Sequence, residues 1–368
     1  MKFLILAGVF LLLYFAPVNA PIVTTSLGAG LALLQEYARR HVLSCLVPAF
    51  FIAGTIAVFV KKDAVIRLLG PETKKTVAYP VASVSGGILA VCSCTILPLF
   101  TGIYKRGAGI GPAVAFLFTG PAINVTAILL TGSVIGWDFA VSRLIAAMII
   151  SVIAGLIMAF VFRGRDQKNA ANGFATGLQD DVPYSNSAIV IFFILQLAIL
   201  VLFGISIQPL VKAVFIILAM SGVLAMGFLK FKKEHNLEWI SETWSLTKKI
   251  LPYLFVGIFV AGLIEVAVPE SVVTRLVGEN TLPANIAASL FGTLMYFATL
   301  TEVPIIQKLM ALGMGRGPAL TLFLTGNSLS LPSILVLLKI MGVKQTGVYI
   351  LCIVILSASA GLLFGALG

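Results

Sequence analysis

Residues 95–129, TILPLFTGIYKRGAGIGPAVAFLFTGPAINVTAIL, and residues 301–335, TEVPIIQKLMALGMGRGPALTLFLTGNSLSLPSIL, align without a gap at an offset of 206. Eleven of the 35 positions are identical: Thr95/Thr301, Pro98/Pro304, Gly107/Gly313, Gly109/Gly315, Gly111/Gly317, Pro112/Pro318, Ala113/Ala319, Thr119/Thr325, Gly120/Gly326, Ile128/Ile334 and Leu129/Leu335. Most are Gly, Pro or Thr, residues that punctuate backbone, whereas two unrelated apolar helices would match mainly at Leu, Ile and Val. Upstream, Arg67-Leu-Leu-Gly70 returns as Arg275-Leu-Val-Gly278 and Ala53-Gly54 as Ala261-Gly262, both at an offset of 208. An internal repeat on this scale sets the plan of the chain. It predicts an N-terminal transmembrane helix and connection over 1–44 and a first repeat over 45–162. A loop, a helix pair and an amphipathic linker follow over 163–249, and a second repeat covers 250–368.

The solvent for this plan is a bilayer. Hydrophobic residues make up 60% of the 368 positions and charged residues 11%, with a mean hydropathy of +1.09, so the chain cannot build a water-soluble surface and reads as an all-α integral membrane protein. Apolar runs of about 20 residues, the length that crosses a hydrocarbon core, recur from end to end. The net charge of +11 could suit nucleic acid, but the basic residues lie in short connections between apolar runs, with no patch of interleaved aromatics. They read as topology signals, which excludes nucleic acid as a partner. At the start, Lys2, the apolar run Phe3–Phe15 and Val18-Asn19-Ala20 imitate a signal peptide. Pro21 disfavours cleavage there and predicts a retained first helix. Residues 236–249 read as an amphipathic helix on the cytoplasmic face.

The segment Thr76 to Tyr104 would run about 43 Å as one straight helix, well past the roughly 30 Å hydrocarbon core. It is interrupted by Gly86-Gly87 and by the Cys-Ser-Cys-Thr-Ile-Leu-Pro run at 92–98, and basic residues flank both ends. A hairpin that enters and leaves on the cytoplasmic face satisfies both flanks. On that reading 18 of the 25 basic residues lie inside, and Arg143 and Arg316 fall among the outer ones. The equivalent segment, 283–311, then enters from the opposite face. The expected fold is two inverted repeats with about eight transmembrane helices plus two re-entrant hairpins. Full crossing of both segments would give ten spans and parallel repeats instead. Inverted repeats with interrupted helices place a small-molecule or ion substrate near the bilayer midplane.

The candidate chemistry sits at the interruptions. Cys92, Ser93, Cys94, Thr95 and the helix-breaking Pro98 fall where the first hairpin turns. Two thiols one residue apart would splay by roughly 200° on a regular helix, but on opened backbone they can converge on a soft, thiophilic centre. Cys45 and Cys352 read as small apolar packing residues. In the second copy Ile96 becomes Glu302, between Thr301 and the helix-breaking Pro304. A carboxylate inside an apolar segment is costly and marks a proton relay or cation partner. Further breaks at Gly120-Pro121, with Asn124, and at Gly326-Asn327, with Ser330, free helix ends and polar side chains to face a cavity. No cofactor or stable metal motif occurs.

The combination of Cys92-Ser-Cys94, Pro98, Gly111-Pro112 and Gly120-Pro-Ala-Ile-Asn124 resembles the family of bacterial and archaeal permeases that includes the ArsP organoarsenical efflux permeases. The resemblance covers most of the chain. It implies a multi-pass permease of the inner (plasma) membrane of a bacterium or archaeon, some of whose relatives export trivalent organoarsenicals, and it matches Cys92 and Cys94 to the family's paired cysteines. The residues thus suggest efflux of a thiophilic metalloid, with Cys92 and Cys94 as transient ligands and Glu302 as a proton or charge partner. A permease for a reduced sulfur compound or small anion, and an intramembrane thiol redox enzyme, are the other readings.

Overall fold

The structure is a computed structural model describing residues 21–60, 62–88, 92–164, 184–204, 208–267, 276–297 and 301–367. The first twenty residues, where the retained helix is expected to start, and the loop over 165–183 lie outside the described residues. Every described element is helical. Helix α1 (Pro21–Tyr37) continues through a π-helical stretch, Ala38–Leu46, into α2 (Val47–Phe59) without a break. Pro48 has no N–H to offer the carbonyl four residues earlier, a local cause for the altered winding. The boundary expected at residue 44 therefore falls inside one continuous helix. A short helix, α3 (Lys62–Leu69), follows.

The two copies of the repeat form matching sets of helices. The first set is α4 (Lys75–Ile88), α5 (Ser93–Lys105), α6 (Ile110–Ala122), α7 (Val125–Val134) and α8 (Trp137–Val161). Between the sets lie α9 (Asn186–Gly204), α10 (Pro209–Lys230) and α11 (Lys233–Ala267). The second set is α12 (Leu282–Leu294), α13 (Glu302–Ala311), α14 (Arg316–Gly326), α15 (Leu331–Ile340) and α16 (Val343–Leu367). Helices α8 and α16 have 25 residues each and begin and end 206 residues apart. The positive-φ glycines form equivalent pairs as well: Gly107 (94°) with Gly313 (107°), and Gly136 (149°) with Gly342 (86°). These turns need a backbone conformation that side chains with a Cβ resist, which accounts for the glycines aligned in sequence.

Backbone contacts show where the hairpins begin and end. The Gly109 amide, just before α6, donates to the Leu69 carbonyl at 2.7 Å, and the Gly315 amide donates to the Val277 carbonyl at 3.0 Å. Each hairpin thus ends beside the point at which it started. Tyr79 lies against Gly111 and Gly86 against Thr119, so α4 runs in the same direction as α6, and α5 must return between them. Helices α4 and α5 have 14 and 13 residues, about 20 Å each, too short to cross a roughly 30 Å core.

Around this centre stand the long helices. The continuous helix 21–59 packs along the 35-residue α11, with Gly30 against Phe259 at one end and Gly54 against Trp239 at the other. The Trp239 indole Nε1 donates to the Phe51 carbonyl at 3.0 Å. The amphipathic stretch 236–249 is not a separate surface helix but the opening turns of α11. Among the described residues, five helices can cross a membrane by length and apolar character. The number rises to seven when the bent pairs α6–α7 (45°) and α14–α15 (43°) each count as one span, and α9 is a shorter apolar helix. Helix α10 leaves Leu210 79% and Phe228 83% exposed, an apolar face that calls for lipid rather than water.

The tight hairpin packing is testable. A Cβ at Gly86 would meet the Thr119 hydroxyl and come within 2.9 Å of the Phe116 carbonyl, and one at Gly292 would meet the Thr325 hydroxyl and come within 3.0 Å of the Gly326 amide. Gly86→Val and Gly292→Val should each cost about 1–3 kcal/mol, the usual range for overpacking, read as a lower melting temperature in detergent. Gly347→Val, where a Cβ meets nothing within 4 Å, should leave it unchanged.

Candidate functional site

Cys92 is the N-cap of α5 and has extended backbone (φ −73°, ψ 165°), while Cys94 lies in the first turn of the helix. The opened backbone brings the two thiols within reach of each other. The Cys92 sulfur lies 3.0 Å from Thr95 Oγ1, and the Cys94 sulfur 3.6 Å from Tyr296 Oη. Tyr296 follows α12 in the turn of the second hairpin, so the two hairpin tips meet through this contact. Tyr37 stands beside Cys94 and packs edge-on to the Tyr296 ring at 5.8 Å. Cys45, read from sequence as a packing residue, reaches Cys92 from the π-helical stretch. Nothing in its local pattern marked it, because the contact depends on a continuous helix where the sequence suggested a connection. Cys352 lies apart in α16. Among the described residues no group of three or more His, Cys, Asp or Glu side chains is placed to hold a metal ion.

A few residues along the second tip lies the charged part of the site. Glu302 opens α13 and is fully buried. Its Oε2 accepts from Asn327 Nδ2 at 2.6 Å and from Arg143 Nη2 at 3.2 Å. Arg143 is also fully buried. Its Nε donates to the carbonyl of Ala122, the last residue of α6, at 3.2 Å, and its Nη1 to Thr131 Oγ1 at 3.3 Å. The guanidinium lies over the Phe323 ring, 4.8 Å from its centroid. Sequence reasoning counted Arg143 among the basic residues of outer connections; the structure instead buries it in α8 against the second repeat. The available signal was an arginine inside an otherwise apolar 25-residue helix, which in a bilayer predicts a partner.

Phe297 joins the two parts. Its ring packs beside Gly326, whose backbone also adjoins Glu302 Oε1, a buried oxygen with no hydrogen-bond partner. Tyr296 and Phe297, with Ala261, Met295 and Ile305, line a cavity of about 20 Å³, room for roughly one water.

The remaining sequence candidates divide. Ser93, Thr95, Gly120, Asn327 and Ser330 are buried at or near the tips and breaks. Asn124 uses its side-chain oxygen to cap α7, accepting from the Thr126 amide at 3.0 Å. Ser330 pairs with Ser333 at 2.9 Å. Thr301 is exposed at the N-cap of α13. Of the three prolines expected to break helices, Pro121 sits in the last turn of α6 beside the break. Pro98 lies inside an unbroken α5, and Pro304 is exposed in the otherwise largely buried first turn of α13.

Half-helices closing on a buried polar centre, inside a shell of long apolar helices, define a multi-pass membrane permease. A family model described as "Predicted permease" matches residues 11–366, and the chain belongs to that family, the ArsP-type permeases. It is 42% identical over 344 residues to UPF0718 protein MJ0584 of Methanocaldococcus jannaschii, covering 90% of this chain and 93% of the relative. It is 24% identical over 290 residues to UPF0718 protein YraQ of Escherichia coli, covering 78% and 67%. A shorter match, 27% over 112 residues, covers 30% of this chain and 36% of a Streptococcus mutans protein named as a putative two-component membrane permease complex subunit. No solved structure matches the chain. The family is one of transporters rather than enzymes, acting on small-molecule substrates in a membrane.

Removing one partner of a fully buried ion pair leaves the other charge uncompensated and costs about 3–5 kcal/mol, whereas replacing both by apolar side chains is often neutral. Arg143→Ala should therefore lower the melting temperature sharply. The double variant Arg143→Met/Glu302→Leu should recover most of the loss, and equal melting temperatures for the single and double variants would contradict the pairing.

Proposed function

We propose that the protein is a secondary transporter that exports a thiophilic metalloid compound, with trivalent organoarsenicals as the first candidates. The observation that carries this is the gathering of Cys92, Cys94 and Cys45 where the two hairpin tips meet, beside Tyr37 and Tyr296. Soft trivalent arsenic prefers thiolate ligands. An organoarsenical carried as a dithiol adduct would pass to Cys92 and Cys94 by exchange: two arsenic–sulfur bonds form, two break, and the two cysteine protons leave with the displaced thiols. No electron changes hands, so the cargo can be released by the reverse exchange.

In this proposal the repeats are inverted. Arg316, at the base of the second hairpin, pairs with Asp138 at the start of α8. Asp138 lies beyond α7, at the far end of the span that begins at the base of the first hairpin. That placement favours hairpins entering from opposite faces with the thiol site between them. The Arg143–Glu302 pair then ties α8 of one repeat to a hairpin of the other, and protonation of Glu302 would loosen that tie as the repeats move. An anionic cargo is less well served, because Glu302 already neutralises Arg143.

The test is uptake of a trivalent organoarsenical into everted vesicles or proteoliposomes. Cys92→Ser/Cys94→Ser should reduce it at least about tenfold, the scale on which even outer partners of a ligand set act. Cys352→Ser should transport like the wild type. Full transport by the double variant would remove the thiols from the mechanism.

A further inference from the structure

The repeat alignment places Tyr349 where the first copy has Arg143, and Ser328 where it has Ala122. In the first copy Arg143 puts a cation on the final carbonyl of α6, at the end of a helix whose dipole is negative. The second copy has the same break and no side-chain cation at the equivalent position. It has neutral oxygen groups instead. Gln345, Thr346 and Tyr349 are each fully buried in α16, and both amide atoms of Gln345, the Thr346 hydroxyl and the Tyr349 hydroxyl have no hydrogen-bond partner in the protein. In a bilayer interior each such group is costly unless completed.

The helical register places Gln345 and Tyr349 beside the break. Gln345, Tyr349, Ile353, Ser357 and Gly361 form one i, i+4 row along α16. The C-terminal members of the row lie on α14: Gly361 abuts Gly317, and the Ser357 carbonyl accepts from Thr321 Oγ1 at 3.2 Å. Continuing that antiparallel register brings Tyr349 level with Leu329, and Gln345 level with Ser333, whose hydroxyl pairs with that of Ser330. The first repeat keeps the same register, with Gly155 on Gly111 and Arg143 on Ala122.

We infer that the α14–α15 break, with Gln345, Thr346 and Tyr349, is a binding site for a small monovalent cation, sodium in the first instance, that takes the place Arg143 fills in the other repeat. The donor set is hard oxygen without a carboxylate, and helix-end carbonyls with hydroxyl side chains suit a singly charged ion rather than a divalent one. One repeat carries its cation covalently and the other takes one from solution, so the site is suited to a coupling ion.

The experiment needs no cargo, so its outcome is independent of the substrate proposed above. The melting temperature of the purified full-length protein is measured in rising sodium chloride, with N-methylglucamine chloride holding ionic strength constant and potassium chloride as the comparison. A saturable upward shift with sodium that is absent or much weaker with potassium is expected. Gln345→Leu and Thr346→Val should lose the shift or move its midpoint at least about tenfold higher in sodium, equivalent to 1.4 kcal/mol, and Thr346→Ser should retain it. No sodium-specific shift in the wild type, as for a site filled by water alone, would overturn the proposal. So would a shift that survives in both Gln345→Leu and Thr346→Val. If either variant does not fold, an unchanged sodium dependence in Tyr349→Phe would overturn it too.

Discussion

A bilayer offers no water to an opened backbone, so a helix can end inside it only where protein surrounds the end. That constraint organises this molecule. Helices α4, α5, α12 and α13 are each too short to cross, and α6 and α14 stop partway and restart at an angle near 45°. Their ends need an enclosure, and the continuous helix 21–59, α11, α8 and α16 provide it. The close approaches at Gly86 and Gly292 draw each hairpin onto the following half-helix. The capping of α7 by Asn124 and the Arg143 bond to the Ala122 carbonyl satisfy specific ends that the breaks expose.

Within this shared backbone the two halves have diverged in chemistry. The first hairpin brings thiols to its tip and the second a carboxylate; α8 supplies a guanidinium and α16 a hydroxyl at the matching position. The contacts between halves are reciprocal in outline, with α7 against α13 and α15 against α5, but both ion pairs described between them, Arg143–Glu302 and Arg316–Asp138, use α8 of the first repeat. The fully buried pair adds little net stability by itself. Its structural effect is to join the two repeats, α8 of the first to α13 of the second.

Much of this was legible in the sequence because the repeat is written in glycine and proline. Gly107 and Gly313 recur for their positive φ, and Gly111 and Gly317 for close packing on α8 and α16, so the alignment that found the repeat also located the turns. The hairpins followed from length and flanking charge. What escaped were contacts between distant segments. Cys45 joined the thiols only because the helix before it runs on through residue 44. Arg143 was assigned by charge counting, which treats an arginine as a loop residue and gives no weight to a partner 159 positions away. Pro98 reads as a breaker in sequence, but the extended backbone is at Cys92 and the helix runs on through the proline. Thr301 matched Thr95 in the alignment, yet one is exposed and the other buried, because the equivalent turns pack against different neighbours.

The central claim is that cargo is held by the thiols at the meeting of the hairpin tips. Arsenic K-edge X-ray absorption on the purified protein, loaded with a trivalent organoarsenical and freed of excess thiol, addresses it most directly. The account predicts two sulfur neighbours to arsenic in the wild type, falling to one or none when Cys92 and Cys94 are replaced by serine. An arsenic shell of carbon and oxygen alone in the wild type, or a sulfur shell unchanged in the double variant, would contradict it.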